Sequence, residues 1–175
     1  MNLEKELRHI PNFPRPGVDF IDITTLLKNK DAFREAIDQT ADMVRDLSYD
    51  LIIGAESRGF ILGAPLAYAT GHGFAPVRKQ GKLPGKTIQA KYQLEYGEDI
   101  LEIHVDAIQP GMRILVVDDL LATGGTARAN CQLVEKLGGV VAGVVFFIEL
   151  IGLKGREKLN GYPVYSLLKI EEKPV

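Results

Sequence analysis

Two adjacent carboxylates stand directly before a glycine-rich loop in Val116-Val117-Asp118-Asp119-Leu120-Leu121-Ala122-Thr123-Gly124-Gly125-Thr126. Neighbouring carboxylates repel each other unless they accept hydrogen bonds from a ligand or face a cation. The loop after them offers backbone amides, two glycines that permit close approach and two hydroxyls. Those groups at a helix start suit a phosphate. A sugar diol that carries its own phosphate would satisfy both halves together. No Gly-Lys-Ser/Thr closes the loop, so it is not a nucleoside triphosphate P-loop, and it does not match the dinucleotide fingerprint. Taken alone, the acidic pair is equally an ordinary strand-to-helix turn. The apolar residues before it and Ala-Thr-Gly-Gly-Thr after it favour the ligand.

A second anion site is legible in Gly54-Ala55-Glu56-Ser57-Arg58-Gly59-Phe60. A cation at a helix amino terminus opposes the macrodipole unless an anion lies between them, so Arg58 there points to phosphate oxygens. Arg78 to Lys86 carries four positive charges in nine residues, with Gly81, Pro84 and Gly85 interspersed. Such a run is commonly a solvated loop. A mobile basic loop can also close over a reaction, exclude water and reopen. His9, His72 and His104 lack ligand spacing and read as surface or structural residues. Cys131 falls on the apolar stripe of its helix and reads as buried, not as a nucleophile.

These segments need a frame to bring them together. The chain has 175 residues, 46% hydrophobic and 25% charged, at a formal charge of −2. That suits one domain with a real core and no general attraction to nucleic acid. The first ten residues are charged and show no signal core, and no apolar run approaches the roughly 20 residues that span a bilayer. One cysteine makes an internal disulfide impossible. A cytoplasmic protein without membrane or nucleic-acid partners is expected.

Helical spacing runs from Asp31 through Phe33, Ile37, Ala41, Val44 and Leu47. Tyr49 to Gly54 reads as a buried strand, and Arg58 to Ala69 as a helix apolar nearly all round that stops at Gly71. Gly73 to Val77 is a strand, Arg78 to Tyr92 a polar segment, Glu98 to His104 a strand, and Arg113 to Val117 a buried strand. A helix follows from about Thr126 to Leu137, then strands over Val140 to Leu150 and Tyr162 to Leu168. Strands alternating with helices predict an α/β fold, a largely parallel sheet covered on both faces. Ligands of such sheets sit beyond the carboxyl ends of the strands.

The stretch from Val116 to Thr126 resembles the phosphoribosyl pyrophosphate motif of type I phosphoribosyltransferases. Arg78-Lys79-Gln80-Gly81-Lys82-Leu83-Pro84-Gly85, followed by Tyr92-Gln93-Leu94-Glu95-Tyr96-Gly97, resembles the loop of the adenine phosphoribosyltransferases in particular. The likeness runs from about Phe13 to Leu168. It implies that fold as a single domain over residues 1–175: a mostly parallel twisted sheet flanked by helices, an amino-terminal hood over 1–30, and a flexible loop over 78–97. It implies adenine and phosphoribosyl pyrophosphate as substrates, Mg²⁺ as cofactor without direct protein ligands, and a homodimer. By the same likeness, Asp118 and Asp119 hold the ribose hydroxyls, and Ala122, Thr123, Gly124, Gly125 and Thr126 cradle the 5′-phosphate. Glu56, Ser57, Arg58, Arg78, Lys79 and Lys82 meet pyrophosphate. Val18, Phe20 and Tyr96 line the base, and Glu95 handles its proton. The position of Ile21 is commonly basic in that family. That departure keeps hypoxanthine, guanine or xanthine open as the base, beside a non-catalytic regulator that binds phosphoribosyl pyrophosphate.

Overall fold

A computed structural model describes residues 1–94 and 97–171. Its core is a seven-stranded sheet in the order β5-β6-β4-β3-β7-β8-β9. The strands are β3 (Leu51–Ala55), β4 (Gly73–Lys79), β5 (Thr87–Leu94), β6 (Gly97–His104), β7 (Arg113–Leu121), β8 (Val140–Leu150) and β9 (Val164–Ile170). The run β4-β3-β7-β8-β9 is parallel throughout, and β5 and β6 add an antiparallel hairpin at one edge. Parallel neighbours need crossovers. The helices α3 (Arg58–Thr70), between β3 and β4, and α4 (Gly125–Lys136), between β7 and β8, supply two of them.

Side chains alternate across a strand. On β7, Leu115 and Val117 join the core beneath α2 (Lys30–Met43) and α3, while Ile114 and Val116 join the core beneath α4. Both faces are therefore covered, and the central strands read as continuous apolar runs. Cys131 is fully buried in the second core, and burial pushes its thiol up to about 12. Ahead of the sheet, β1 (Arg8–Pro11) and β2 (Asp19–Asp22) form a separate antiparallel pair, followed by α1 (Thr24–Lys28). Asp22 caps α1 by accepting from the Thr24 amide at 2.9 Å. That bond and the Arg8 guanidinium hold its carboxyl down to about 2.

Four local expectations need correction. The segment over 78–97, read as a loop, contains strand β5, and only its first part is a turn between strands. Ile88, Ala90 and Tyr92 alternate with polar residues, a period-2 signal masked by the lysines around it. Helix α2 ends at Met43, not Leu47. Beyond it the chain tightens through Arg45 to Asp42 and Leu47 to Val44 backbone bonds, which keep Val44 and Leu47 against the same core. Strand β7 runs on to Leu121, so the acidic pair lies within the strand and not after it. Finally, α3 is not packed all round: Ile61, Ala64 and Tyr68 are exposed on one face, Tyr68 at 91%.

Candidate active site

Because β3 and β7 are adjacent and parallel, their carboxyl ends open side by side, and each leads into a loop and a helix. The first loop is held close to its strand. A Cβ on Gly54 would meet the Gly59 carbonyl at 2.8 Å, so a glycine is needed there, and one on Gly59 would crowd Asp118 Oδ1 at 3.3 Å. The Glu56–Ser57 peptide is cis. The second loop turns at Gly124, whose φ of 86° suits glycine.

Between the two loops lies a cleft of about 520 Å³. It brings together Glu56, Ser57 and Arg58 from the first loop and the start of α3, Asp118 and Asp119 from the end of β7, Ala122, Thr123 and Thr126 from the second loop and the start of α4, and Lys79 from β4. Arg58 Nε stands 2.6 Å from Asp119 Oδ2. The anion that faces this cation in the structure is thus the second carboxylate of the pair. The Asp119 amide donates to Asp118 Oδ1 at 2.9 Å. Burial, and then the neighbouring Asp119 carboxylate, push the Asp118 carboxyl well above the usual carboxylate range. Two like charges at the floor of a cleft keep such a site short of positive charge, and a ribose or metal-bearing ligand would relieve it.

The hood reaches the same place. The Phe20 ring lies 5.7 Å from the Arg58 guanidinium carbon and packs edge-on to Phe13 at 5.2 Å. Val18 is half-buried beside it. Ile21 is 8% exposed and belongs to the core, so its aliphatic side chain takes no cation away from the cleft.

Other expected residues lie apart. Arg78 sits 3.4 Å from Glu56 Oε1, which also accepts from the Lys79 amide at 2.7 Å; these contacts tie the first loop to β4. Lys82 is in the turn after β4, where its carbonyl accepts from Arg78 at 3.4 Å, and its side chain does not line the cleft. Glu95 and Tyr96 fall outside the described residues.

Tyr92 was missed from the sequence. Its hydroxyl donates to Asp99 at 3.0 Å, and Lys79 Nζ stands 3.2 Å from the same carboxylate. Burial and the Asp99 carboxylate push the phenol up to about 12. An aromatic residue on the inward side of β5 becomes visible as a cleft residue only when β5 is recognised as a strand. Among the described residues no group of three or more His, Cys, Asp or Glu could hold a metal alone, and no helix is long and apolar enough to cross a membrane.

The phosphoribosyl transferase domain family matches residues 22–174. The adenine phosphoribosyltransferase of Caldicellulosiruptor saccharolyticus is 58% identical over 171 residues, 98% of each chain. That of Ruminiclostridium cellulolyticum is 59% identical over 170 residues, 97% of this chain and 99% of its own. Among solved structures, the adenine phosphoribosyltransferase of Thermoanaerobacter pseudethanolicus superposes with a TM-score of 0.94 at 51% identity, covering 96% of this chain and 98% of its own. The Saccharomyces cerevisiae enzyme, solved with adenine and an imino-altritol bisphosphate, superposes at 0.90 with 44% identity over 95% of this chain and 96% of its own. Fold, cleft and kinship agree: this chain belongs to the adenine phosphoribosyltransferases.

Proposed function

We propose that this cleft performs the reaction of the family, passing the phosphoribosyl group of phosphoribosyl pyrophosphate to adenine with release of AMP and pyrophosphate. The observation that carries the site assignment is the convergence of Arg58, the Asp118–Asp119 pair and the Ala122–Thr126 loop on one cleft. Displacement at an anomeric carbon develops positive charge on the sugar, as in glycoside hydrolysis. Asp118 and Asp119 hold the ribose hydroxyls and lie near that charge. The amides and hydroxyls of Ala122, Thr123, Gly124, Gly125 and Thr126 hold the 5′-phosphate. Arg58, the loop at Glu56 and Ser57, and Lys79 receive the leaving pyrophosphate, and Arg78 from β4 and Lys82 from the turn after it approach from beside them. Phe20, with Val18 and Tyr96, shapes the purine side, and Glu95 takes the proton from the base.

The donor set fits Mg²⁺. Carboxylate oxygens without a third ligand suit a hydrated ion carried largely by substrate oxygens, drawn by Asp118 and Asp119. When bound, the ion neutralises charge on pyrophosphate. The direct test incubates the protein with phosphoribosyl pyrophosphate, Mg²⁺ and each purine separately, followed by chromatography. AMP from adenine alone is expected, with turnover abolished by chelator and restored by Mg²⁺. No nucleotide from any base would overturn the reading, and nucleotide from hypoxanthine, guanine or xanthine alone would overturn the choice of base.

The enzyme is further read as a single-domain cytoplasmic homodimer. A chain whose one cysteine is buried, with no disulfide, suits a reducing compartment. The exposed apolar stripe of Ile61, Ala64 and Tyr68 on α3, directly after Arg58, supports pairing of two copies there. Tyr68→Asp is then expected to yield monomers in analytical ultracentrifugation, and an unchanged dimer would remove α3 from the interface.

A further inference from the structure

Outside the cleft, a cluster of polar contacts surrounds Arg156, in the 3-10 turn Gly155–Leu159 beyond β8. Its Nε and Nη2 donate to the two oxygens of Glu149 at 2.6 and 2.8 Å, a bidentate pair. Nη1 donates to the Val164 carbonyl at 2.9 Å, and Nη2 also reaches Ser166 Oγ at 3.2 Å. The Ser166 hydroxyl donates to Glu149 Oε2 at 2.6 Å. Glu149 is 6% exposed. Burial alone would raise its carboxyl, but Arg156 and Ser166 outweigh it and hold the group below its usual range.

Glu149 is buried while the Arg156 side chain is 39% exposed, and a pair of this kind adds little net stability, so what the fold gains is chiefly a fixed geometry. The geometry fixed here is that of the residue next door. Gly155 lies backbone to backbone against the glycine loop after β7. A Cβ on Gly124 would meet the Gly155 carbonyl at 2.6 Å. A Cβ on Gly155 would collide with the Ala122 carbonyl and would stand 2.7 Å from Leu121 Cδ1. Lys154, which delivers Gly155 to this position, has a φ of 54°, a conformation that a lysine holds only when its surroundings enforce it.

We propose that Glu149, Arg156 and Ser166 are positioning residues for the 5′-phosphate loop, acting through Gly155, which sets the height of the Ala122–Gly124 backbone. None of the three side chains lines the cleft. The inference rests on the reading of Ala122 to Thr126 as the phosphate cradle. Amides displaced by a fraction of an ångström lose aligned hydrogen bonds to phosphate, while the base, held elsewhere in the proposed reading, keeps its contacts.

The test compares Gly155→Ala, Arg156→Lys and Thr126→Ala by initial-rate kinetics, calorimetric binding of ribose 5-phosphate and thermal melting. Gly155→Ala and Arg156→Lys are expected to raise KM for phosphoribosyl pyrophosphate and Kd for ribose 5-phosphate by about tenfold, a modest share of what misplacement can cost. KM for adenine should stay within about twofold, because the base does not contact this loop. Should Gly155→Ala fail to fold, Arg156→Lys, which keeps the charge and loses the fork, carries the comparison. Ser166→Ala, with Ser166→Thr as the conservative rescue, gives a milder series. A loss of kcat or melting temperature at unchanged KM and Kd would show a merely structural role and overturn the proposal. If Thr126→Ala weakens ribose 5-phosphate binding and the other variants do not, the brace fails while the cradle stands. If Thr126→Ala changes nothing, the cradle reading fails and the brace falls with it.

Discussion

Asp119→Asn is expected to lower kcat/KM by about 10²- to 10³-fold, the cost of removing one preorganised charge from a transition state, while the melting temperature holds or rises. Asp119 stands against Arg58 at 2.6 Å and beside Asp118 at the cleft floor. In the proposed function its carboxylate orients the guanidinium for the leaving group and lies near the charge that develops on the sugar. An amide of the same shape keeps the packing and loses both electrostatic roles. The stability effect has the opposite sign. The Asp118 carboxyl is raised in the folded state by burial and by Asp119. A carboxyl raised on folding favours the folded state only while protonated. That contribution is lost as pH climbs from the unfolded value of 3.8 towards the raised one. Replacing Asp119 by asparagine removes one source of that cost. Arg58 loses its partner with little penalty, since its side chain is 44% exposed and can turn to water. Any gain in melting temperature should therefore shrink as pH falls towards the ordinary carboxylate range. Initial rates and melts at two pH values read both effects, and unchanged kinetics would take Asp119 out of the site. Loss of activity without loss of stability marks a residue kept for function.

Glu95→Gln is expected to lower kcat by about a hundredfold or more, within the range for loss of a general base. A purine nitrogen that bonds to the anomeric carbon must shed a proton, and glutamine keeps the size of glutamate but cannot accept one. KM for phosphoribosyl pyrophosphate should change little, because Glu95 belongs neither to the phosphate loop nor to the first loop. The acid limb of the kcat profile should flatten if this carboxylate is the base. Melting should be unaffected, since glutamine keeps the size of glutamate. Full turnover with the acid limb retained would assign the proton to another group.

Much of this molecule is legible before any folding. The run from 114 to 117 is apolar because a central parallel strand is buried on both faces, and the glycines at 54, 59 and 124 stand where other parts of the chain come close. Local sterics and burial write these features directly into residue type. For the same reason the acidic pair, the Ser57-Arg58 step and the Ala122–Thr126 loop stand out in the sequence as candidate ligand contacts.

Other features exist only as distances between remote parts of the chain. That Arg58 meets Asp119, and that Phe20 stands over Arg58, depends on β3 and β7 being neighbours and on the hood folding back. Tyr92 enters the cleft because an edge hairpin forms around it, against a local composition rich in lysine that reads as loop. Ile21, conspicuous in the sequence as a departure, proves to be a core residue, since only the packing says which way a hood strand faces. The partnership of Glu149, Arg156 and Ser166 joins two strands and a turn, and no periodicity announces it. The class of fold and the kind of chemistry are readable in the chain before folding, because residue type and local period carry both. Tertiary structure alone decided which charges face each other, because that depends on contacts between elements far apart in the chain.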